Sequence, residues 1–193
     1  MKSSLLPEEA LFFRMLLIFV LIVIAAALRV APHPWNFTPI GAMALFSGAV
    51  VRDRRIAFLF PLLALFAGDV FIGFHRLMPV VYASFLVSVL IGRLLQRRRT
   101  LPLLAGATFL GALQFFLITN FAVWYFSSTY PKSAAGLTAC YLAGVPFFGN
   151  TLAGDAVYVT FLFGGYAVAE HFFPALRERA PAIAVDGGRD GKR

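Results

Sequence analysis

The chain has 193 residues, of which 60% are hydrophobic and only 13% are charged. This much apolar surface excludes a water-soluble domain and predicts one compact integral membrane protein. The formal charge of +8 does not indicate nucleic acid as a partner, because the basic residues lie in clusters between apolar runs, a pattern that relates to orientation in a bilayer. The single cysteine, Cys140, excludes an internal disulfide.

The apolar runs define the predicted helices. In chain order they are Leu11–Leu28, Ile40–Val51, Ile56–Phe74, Val80–Leu95, Leu101–Trp124, Leu137–Phe148 and Thr151–Phe173. The sixth run is short and contains Gly144 and Pro146, so we predict an outer loop or a half-helix that dips into the membrane. The other six predict an all-α membrane protein with six transmembrane helices over residues 11–174, a cytoplasmic N-terminus (1–10) and a basic, disordered cytoplasmic tail (175–193).

The first run has an alternative interpretation as a cleaved signal sequence, since it ends in three alanines, residues 25–27. However, the run is longer than the usual core of about 7–15 residues, and Glu8 and Glu9 lie where a signal sequence carries positive charge. We therefore expect a retained helix.

The distribution of basic residues favours six crossings with both termini in the cytoplasm. In that topology fourteen lysines and arginines lie inside, and only Arg29, Arg76 and Lys132 lie outside. Such a positive-inside bias predicts a multi-pass protein of the bacterial inner (cytoplasmic) membrane.

The stretch Arg29–Ala42 interrupts the apolar pattern with His33, Trp35, Asn36 and three prolines. Proline fixes φ and pushes the preceding residue towards extended geometry, so an ordered, non-helical segment is predicted here.

Almost all polar groups at membrane depth fall in the outer half of the predicted topology. Ionisable groups in apolar surroundings persist mostly where they face a cavity, a partner or water. We therefore predict an outward-facing small-molecule cavity with aromatic walls, roofed by the outer loops, above an inner half that is apolar and filled. The predicted ligand-binding residues are His33, Trp35, Asn36, Asp69, His75, Tyr82, Asn120, Trp124, Asn150 and Asp155.

Several of these residues also have structural interpretations. Asp69 is equally well explained as an anchor paired with Arg29 or Arg76. Asp155 falls in the first turn of its predicted helix, where a carboxyl group favours the positive end of the helix dipole, and this structural role is preferred. The histidines lie in loops without zinc-like spacing, and the aromatic residues fit an interfacial belt, so no metal or cofactor is predicted.

An enzymatic function is not expected. The near-repeats FAGDVF and LAGDAV place Asp69 and Asp155 after glycines, as in intramembrane aspartyl proteases, but they lack the first glycine of the Gly-x-Gly-Asp form. The sequence has no Gly-x-Ser-x-Gly, no His-Glu-x-x-His and no Walker motif.

Four sequence segments carry a family resemblance: PHPWNFTPIGA, LFAGDVFIGFH, TNFAVW and YPKSAAGLTACYLAGVPFFGNTLAGD. Together they resemble a bacterial family of small, uncharacterised transport membrane proteins. More distantly, the chain is similar to the S-components of energy-coupling factor transporters, whose six helices hold a vitamin near the outer face.

Within that group, the solitary cobalamin-binding S-components are the nearest comparison. The resemblance implies that His33 and Asp69 correspond to their loop-one histidine and helix-three aspartate. Tyr82 occupies the region where a cobalt-ligating cysteine is expected, and helix one lacks the Ala-x-x-x-Ala docking pattern.

The sequence therefore predicts a membrane transport protein that binds a small, vitamin-like solute and acts alone or with an energy-coupling module. Its other partner is the lipid bilayer. The alternative is a non-transporting membrane scaffold or subunit, whose polar cluster only fixes the loops.

Overall fold

The computed structural model describes residues 7–28, 34–173 and 176. These residues form an all-α bundle of six helices. The helices are α1 (Pro7–Leu28), α2 (Ile40–Val50), α3 (Arg54–Ile72), α4 (Met78–Leu94), α5 (Leu101–Phe126) and α6 (Ala134–Phe172). The first five coincide with predicted runs to within a few residues at each end. His33, Arg29 and most of the N- and C-terminal segments lie outside the described residues.

Three of the six helices, α3, α5 and α6, are long and apolar enough to span a membrane. The apolar part of α1 (Leu11–Ile24), α2 and α4 are shorter. The chain is thus an α-helical membrane protein, and six complete crossings remain a prediction.

The predicted break between the last two apolar runs is wrong. Leu137–Phe148 and Thr151–Phe173 belong to one continuous helix of 39 residues, with Pro146 inside it. Proline and glycine are tolerated in membrane helices, because breaking the backbone ladder in an apolar medium leaves several polar groups unsatisfied. The helix is about 58 Å long, roughly twice the ~30 Å hydrocarbon thickness, so it extends well beyond one crossing.

The short helix α2 lies at the centre of the bundle. All 11 of its residues are buried, and it contacts each of the other five helices. Its closest neighbour is α4: a Cβ at Gly48 would lie 2.2 Å from the Val89 carbonyl oxygen, and one at Gly92 would lie 2.2 Å from that of Leu45. Only glycine permits this backbone approach, in agreement with the role of small residues in membrane helix packing.

Two ends of the bundle are distinguished by α2. The "Pro39 end" is the end at which α2 begins, and the "Val51 end" is the end at which it stops. The aromatic ring of Phe46 packs edge-on against Phe163 and Tyr166 between them, at centroid distances of 5.2 and 5.7 Å. This apolar core separates the two polar regions.

Candidate functional site

The carboxyl group of Asp155 holds the first turn of α2. The residue before this helix is Pro39, which provides no side-chain cap, and the Ala42 N–H instead donates to Asp155 Oδ1 at 3.1 Å. A Cβ at Gly41 would lie 2.3 Å from the same oxygen, so this position needs glycine. Asp155 is 2% exposed. It therefore satisfies one of the N–H groups that every helix start leaves unpaired.

The structural role predicted for Asp155 is thus correct in kind, but its place is wrong. The residue lies in the middle of α6, because that helix already begins at Ala134. Its carboxyl group acts on the N-terminus of a different helix.

Residues 34–39 form the non-helical segment that leads into α2. The Phe37 N–H donates to the Pro34 carbonyl at 3.0 Å, and Asn36 adopts a positive φ of 63°, a left-handed conformation that asparagine tolerates. The Trp35 side chain is 81% exposed. The described part of the predicted proline-rich segment is therefore an ordered turn.

This segment is fixed to α6 by backbone contacts. Asn150 Nδ2 donates to the Trp35 carbonyl at 3.0 Å. One turn further along α6, Gly154 faces Phe37: a Cβ added at Gly154 would lie 3.1 Å from the Phe37 Cα. The centre of the Phe37 ring lies 5.9 Å from that of the Tyr158 ring. Asn150 and Gly154 thus position the entrance to α2.

Asp69 and Tyr82 meet at the Pro39 end on the opposite side of α2. Asp69 lies in the last turn of α3 and is 3% exposed, and Tyr82 Oη donates to its Oδ2 at 2.8 Å. The structure therefore brings these two predicted residues together. His75 lies in the exposed loop that follows, where its carbonyl accepts from the Met78 N–H at 3.1 Å.

Asn120 and Trp124 connect α5 with the start of α6. Asn120 Nδ2 donates to the Phe116 carbonyl at 2.8 Å, and its Oδ1 lies so close to Gly144 that a Cβ there would come within 2.5 Å. Trp124 Nε1 donates to the Pro131 carbonyl at 2.9 Å. Both side chains stabilise the helix pair.

Seven of the nine described residues of the predicted site fall into three groups and not one. Asp69 and Tyr82 lie between α3 and α4, while Asn120 and Trp124 lie between α5 and α6. Trp35, Asn150 and Asp155 lie around the entrance to α2. Within the described ranges α3 and α6 do not contact each other. The two Gly-Asp carboxyl groups accept from different donors, the Tyr82 hydroxyl and the Ala42 N–H.

The Val51 end carries a polar cluster that sequence reasoning missed. Arg14 is 9% exposed; its Nε donates to Tyr166 Oη at 2.9 Å, and its Nη2 donates to the Val50 carbonyl at 3.0 Å. Gln96 Nε2 donates to the carbonyls of residues 48 and 51, at 3.0 and 3.2 Å. Arg99 Nη2 donates to the Ala49 carbonyl at 3.2 Å, and its guanidinium lies 5.8 Å from the centre of the Tyr166 ring.

One signal in the sequence pointed to this cluster. Arg14 is a charged residue inside an otherwise apolar run, and such residues usually face the bundle interior and pair with backbone carbonyls.

Cavities also occur away from the predicted site. A cavity of about 610 Å³ lies between α5 and α6 towards the Val51 end, a smaller one of about 170 Å³ adjoins Arg99 there, and a groove of about 390 Å³ separates α1 from α3. None of the nine residues lines these three cavities. The expectation that the half of the bundle around the Val51 end is apolar and filled is wrong, because the charged ends of Arg14 and Arg99 converge there on the last turn of α2.

Metal binding has no candidate site in the described part of the chain, where no group of three or more His, Cys, Asp or Glu side chains could hold an ion.

The fold and the polar ends of α2 define the class, an α-helical membrane protein built around a buried central helix. Residues 9–176 match the model of DUF6580, a family of unknown function, and the chain belongs to this family. No curated protein and no solved structure matches the chain.

Proposed function

We propose that the protein is a multi-pass transport protein of the bacterial inner membrane that binds a small, vitamin-like solute at the Pro39 end. In this proposal both termini are cytoplasmic and the Pro39 end faces outward. The protein acts by binding, without enzymatic chemistry, alone or with an energy-coupling module. The positive-inside distribution of lysine and arginine supports the orientation.

The observation that carries the proposal is that α2 begins inside the bundle. The non-helical residues 34–39 precede a helix whose first residue is already 1% exposed. Irregular backbone within a membrane protein is tolerated where it is buried in protein or lines a cavity, and interrupted helices form the substrate sites of many transporters.

Asp69 is the best candidate for a polar ligand contact. Its carboxyl group accepts from a side-chain hydroxyl, that of Tyr82, whereas the side chains of Asp155, Asn120 and Asn150 bond to backbone groups. It lies in the last turn of α3, near the loop that contains His75. The resemblance to S-components adds His33, immediately before the turn at residues 34–39, as a second expected contact.

The test is mass spectrometry of small molecules extracted from protein purified in mild detergent. We expect a stoichiometric metabolite in the wild type and its loss in Asp69→Asn. Asparagine keeps an acceptor oxygen for Tyr82, so the variant should stay folded. Asp53→Asn is the matched control: Asp53 caps α3 by accepting from the Ile56 N–H at 3.0 Å, a role that asparagine also fills, so the metabolite should remain.

The alternative function is a non-transporting scaffold. It is favoured by the bond of Asn150 to the Trp35 carbonyl, which holds the turn before α2 against α6. A stable, monodisperse wild type without any bound metabolite, together with an Asp69→Asn variant that loses stability only, would contradict the carrier and support the scaffold.

A further inference from the structure

The 610 Å³ cavity is an apolar cleft between the first turns of α5 and the second half of α6. Its volume falls in the range of about 300–1,000 Å³ that small-molecule sites occupy. Leu104, Val159 and Phe163 contribute aliphatic and aromatic walls. The two threonines of the cleft, Thr108 and Thr160, each donate to a carbonyl of their own helix at 2.8 Å, so their hydroxyl hydrogens turn away from the cavity.

The cleft opens sideways, towards the lipid. Ala156, Thr160 and Gly164 line it and are also exposed on the surface of α6. A Cβ at Gly164 would meet no atom within 4 Å. Since α6 is long and apolar enough to span a membrane, a hydrocarbon chain can enter the cleft directly from the bilayer.

Arginine side chains close the cleft at the Val51 end. Arg99 lines both the cleft and the neighbouring 170 Å³ cavity, which Arg52, Arg97 and Gln96 also line. Among the lining residues of the two cavities Glu170 is the acidic one, against three arginines. The apolar cleft and the small basic pocket are thus adjacent, and Arg99 forms part of the wall of both.

We propose that the two cavities together bind a phospholipid with a net negative head group. The phosphate lies in the basic pocket, in contact with Arg97 and Arg99, and one acyl chain occupies the cleft past Gly164. Guanidinium groups match phosphate geometry, and basic pockets between membrane helices are typical head-group sites. A soluble phosphate ester would leave the apolar cleft empty.

The groove between α1 and α3 supplies an internal contrast. It is also apolar and measures about 390 Å³, but its lining, which includes Phe19 and Phe60, contains no basic residue. We expect this groove to hold bilayer chains without head-group preference.

The test uses delipidated protein and native mass spectrometry, with phosphatidylglycerol and phosphatidylcholine of identical chains. The wild type should retain phosphatidylglycerol preferentially. Gly164→Leu fills the cleft and should weaken this binding severalfold, because the acyl chain loses its packing contacts with the cleft walls. Gly106→Leu is the matched control, because an added Cβ there also meets no atom within 4 Å and Gly106 does not line the cleft.

A second pair of variants tests the head-group pocket. Arg97→Gln should weaken phosphatidylglycerol binding about fivefold, the typical effect of one basic side chain at a membrane surface. Arg98→Gln makes the same charge change at an exposed neighbour that lines neither cavity and should bind like the wild type.

Equal binding of the two lipids by the wild type, or unchanged binding by Gly164→Leu, would overturn the proposal. Competition between inorganic phosphate and phosphatidylglycerol is the remaining measurement. If the phosphate displaces phosphatidylglycerol and binds the wild type and Gly164→Leu equally, the basic pocket takes a free anion and the lipid site is refuted.

Discussion

The two ends of α2 are held by opposite chemistry. At the Pro39 end one carboxyl group, that of Asp155, accepts from a backbone N–H. At the Val51 end Arg14, Gln96 and Arg99 donate to the last carbonyls of the helix. This matches the helix dipole, whose N-terminal end is positive and whose C-terminal end is negative. In a bundle interior, where water is scarce, both ends need such partners.

The comparison teaches that a polar residue at membrane depth is not by itself a ligand site. Asp155 and Arg14 are both buried inside apolar sequence, and both are explained by the backbone that they satisfy. Asp69 differs, because its described contact is the Tyr82 hydroxyl and not a helix terminus. Three variants test how the two ends of α2 are held, in order of decreasing expected effect.

Gly41→Ala should disrupt the contact that holds α2 at the Pro39 end. The new methyl group would occupy the position of the Asp155 carboxyl and displace it from the Ala42 N–H. Overpacking and an unsatisfied donor together should lower the free energy of unfolding by about 3 kcal/mol. Denaturation with SDS in mixed micelles measures this value. Gly106→Ala, in open space, should be neutral or stabilising by up to about 1 kcal/mol, and equal losses in both variants would contradict the close contact.

Arg14→Met should lower the free energy of unfolding by about 2 kcal/mol. The reason is that the hydrogen bonds from a charged donor to the Tyr166 hydroxyl and the Val50 carbonyl at the Val51 end disappear. The same titration measures it. Tyr166→Phe removes only the first of these bonds and should cost about half as much. If the two variants were equally damaging, the bond to the end of α2 would contribute nothing.

Asp155→Asn should have the smallest effect and lower the free energy of unfolding by about 1 kcal/mol, because an amide oxygen remains as acceptor and only the charge is lost. Thermal unfolding in detergent, compared with Asp155→Ala, checks this. The alanine variant should be clearly less stable than the asparagine variant. An asparagine variant as unstable as alanine would mean that charge, and not an acceptor, holds this end of α2.

Much of the fold could be predicted from the sequence. Apolar runs bounded by charged or proline-rich segments indicated the first five helices, since run length and composition are local properties. The local rule failed at Gly144 and Pro146. It treated them as breakers, whereas α6 continues through both residues.

The candidate site could be predicted only in part. Asp69 and Tyr82 were both identified as polar residues at membrane depth, and they do meet. Their separation from Asp155 could not be foreseen, because it depends on α2 lying between α3 and α6. Gln96 and Arg99 were missed because they follow α4 in a basic run, where charge indicates orientation and gives no information about which carbonyl a side chain reaches.

The sequence by itself determined that this is a helical membrane protein, since hydrocarbon accepts only segments whose backbone groups are satisfied internally. Only the tertiary structure decided that the 11-residue α2 is the buried centre. The physical reason is that the partners of its two ends, Asp155 and Arg14, come from helices far away in the chain, and no local pattern specifies such pairs.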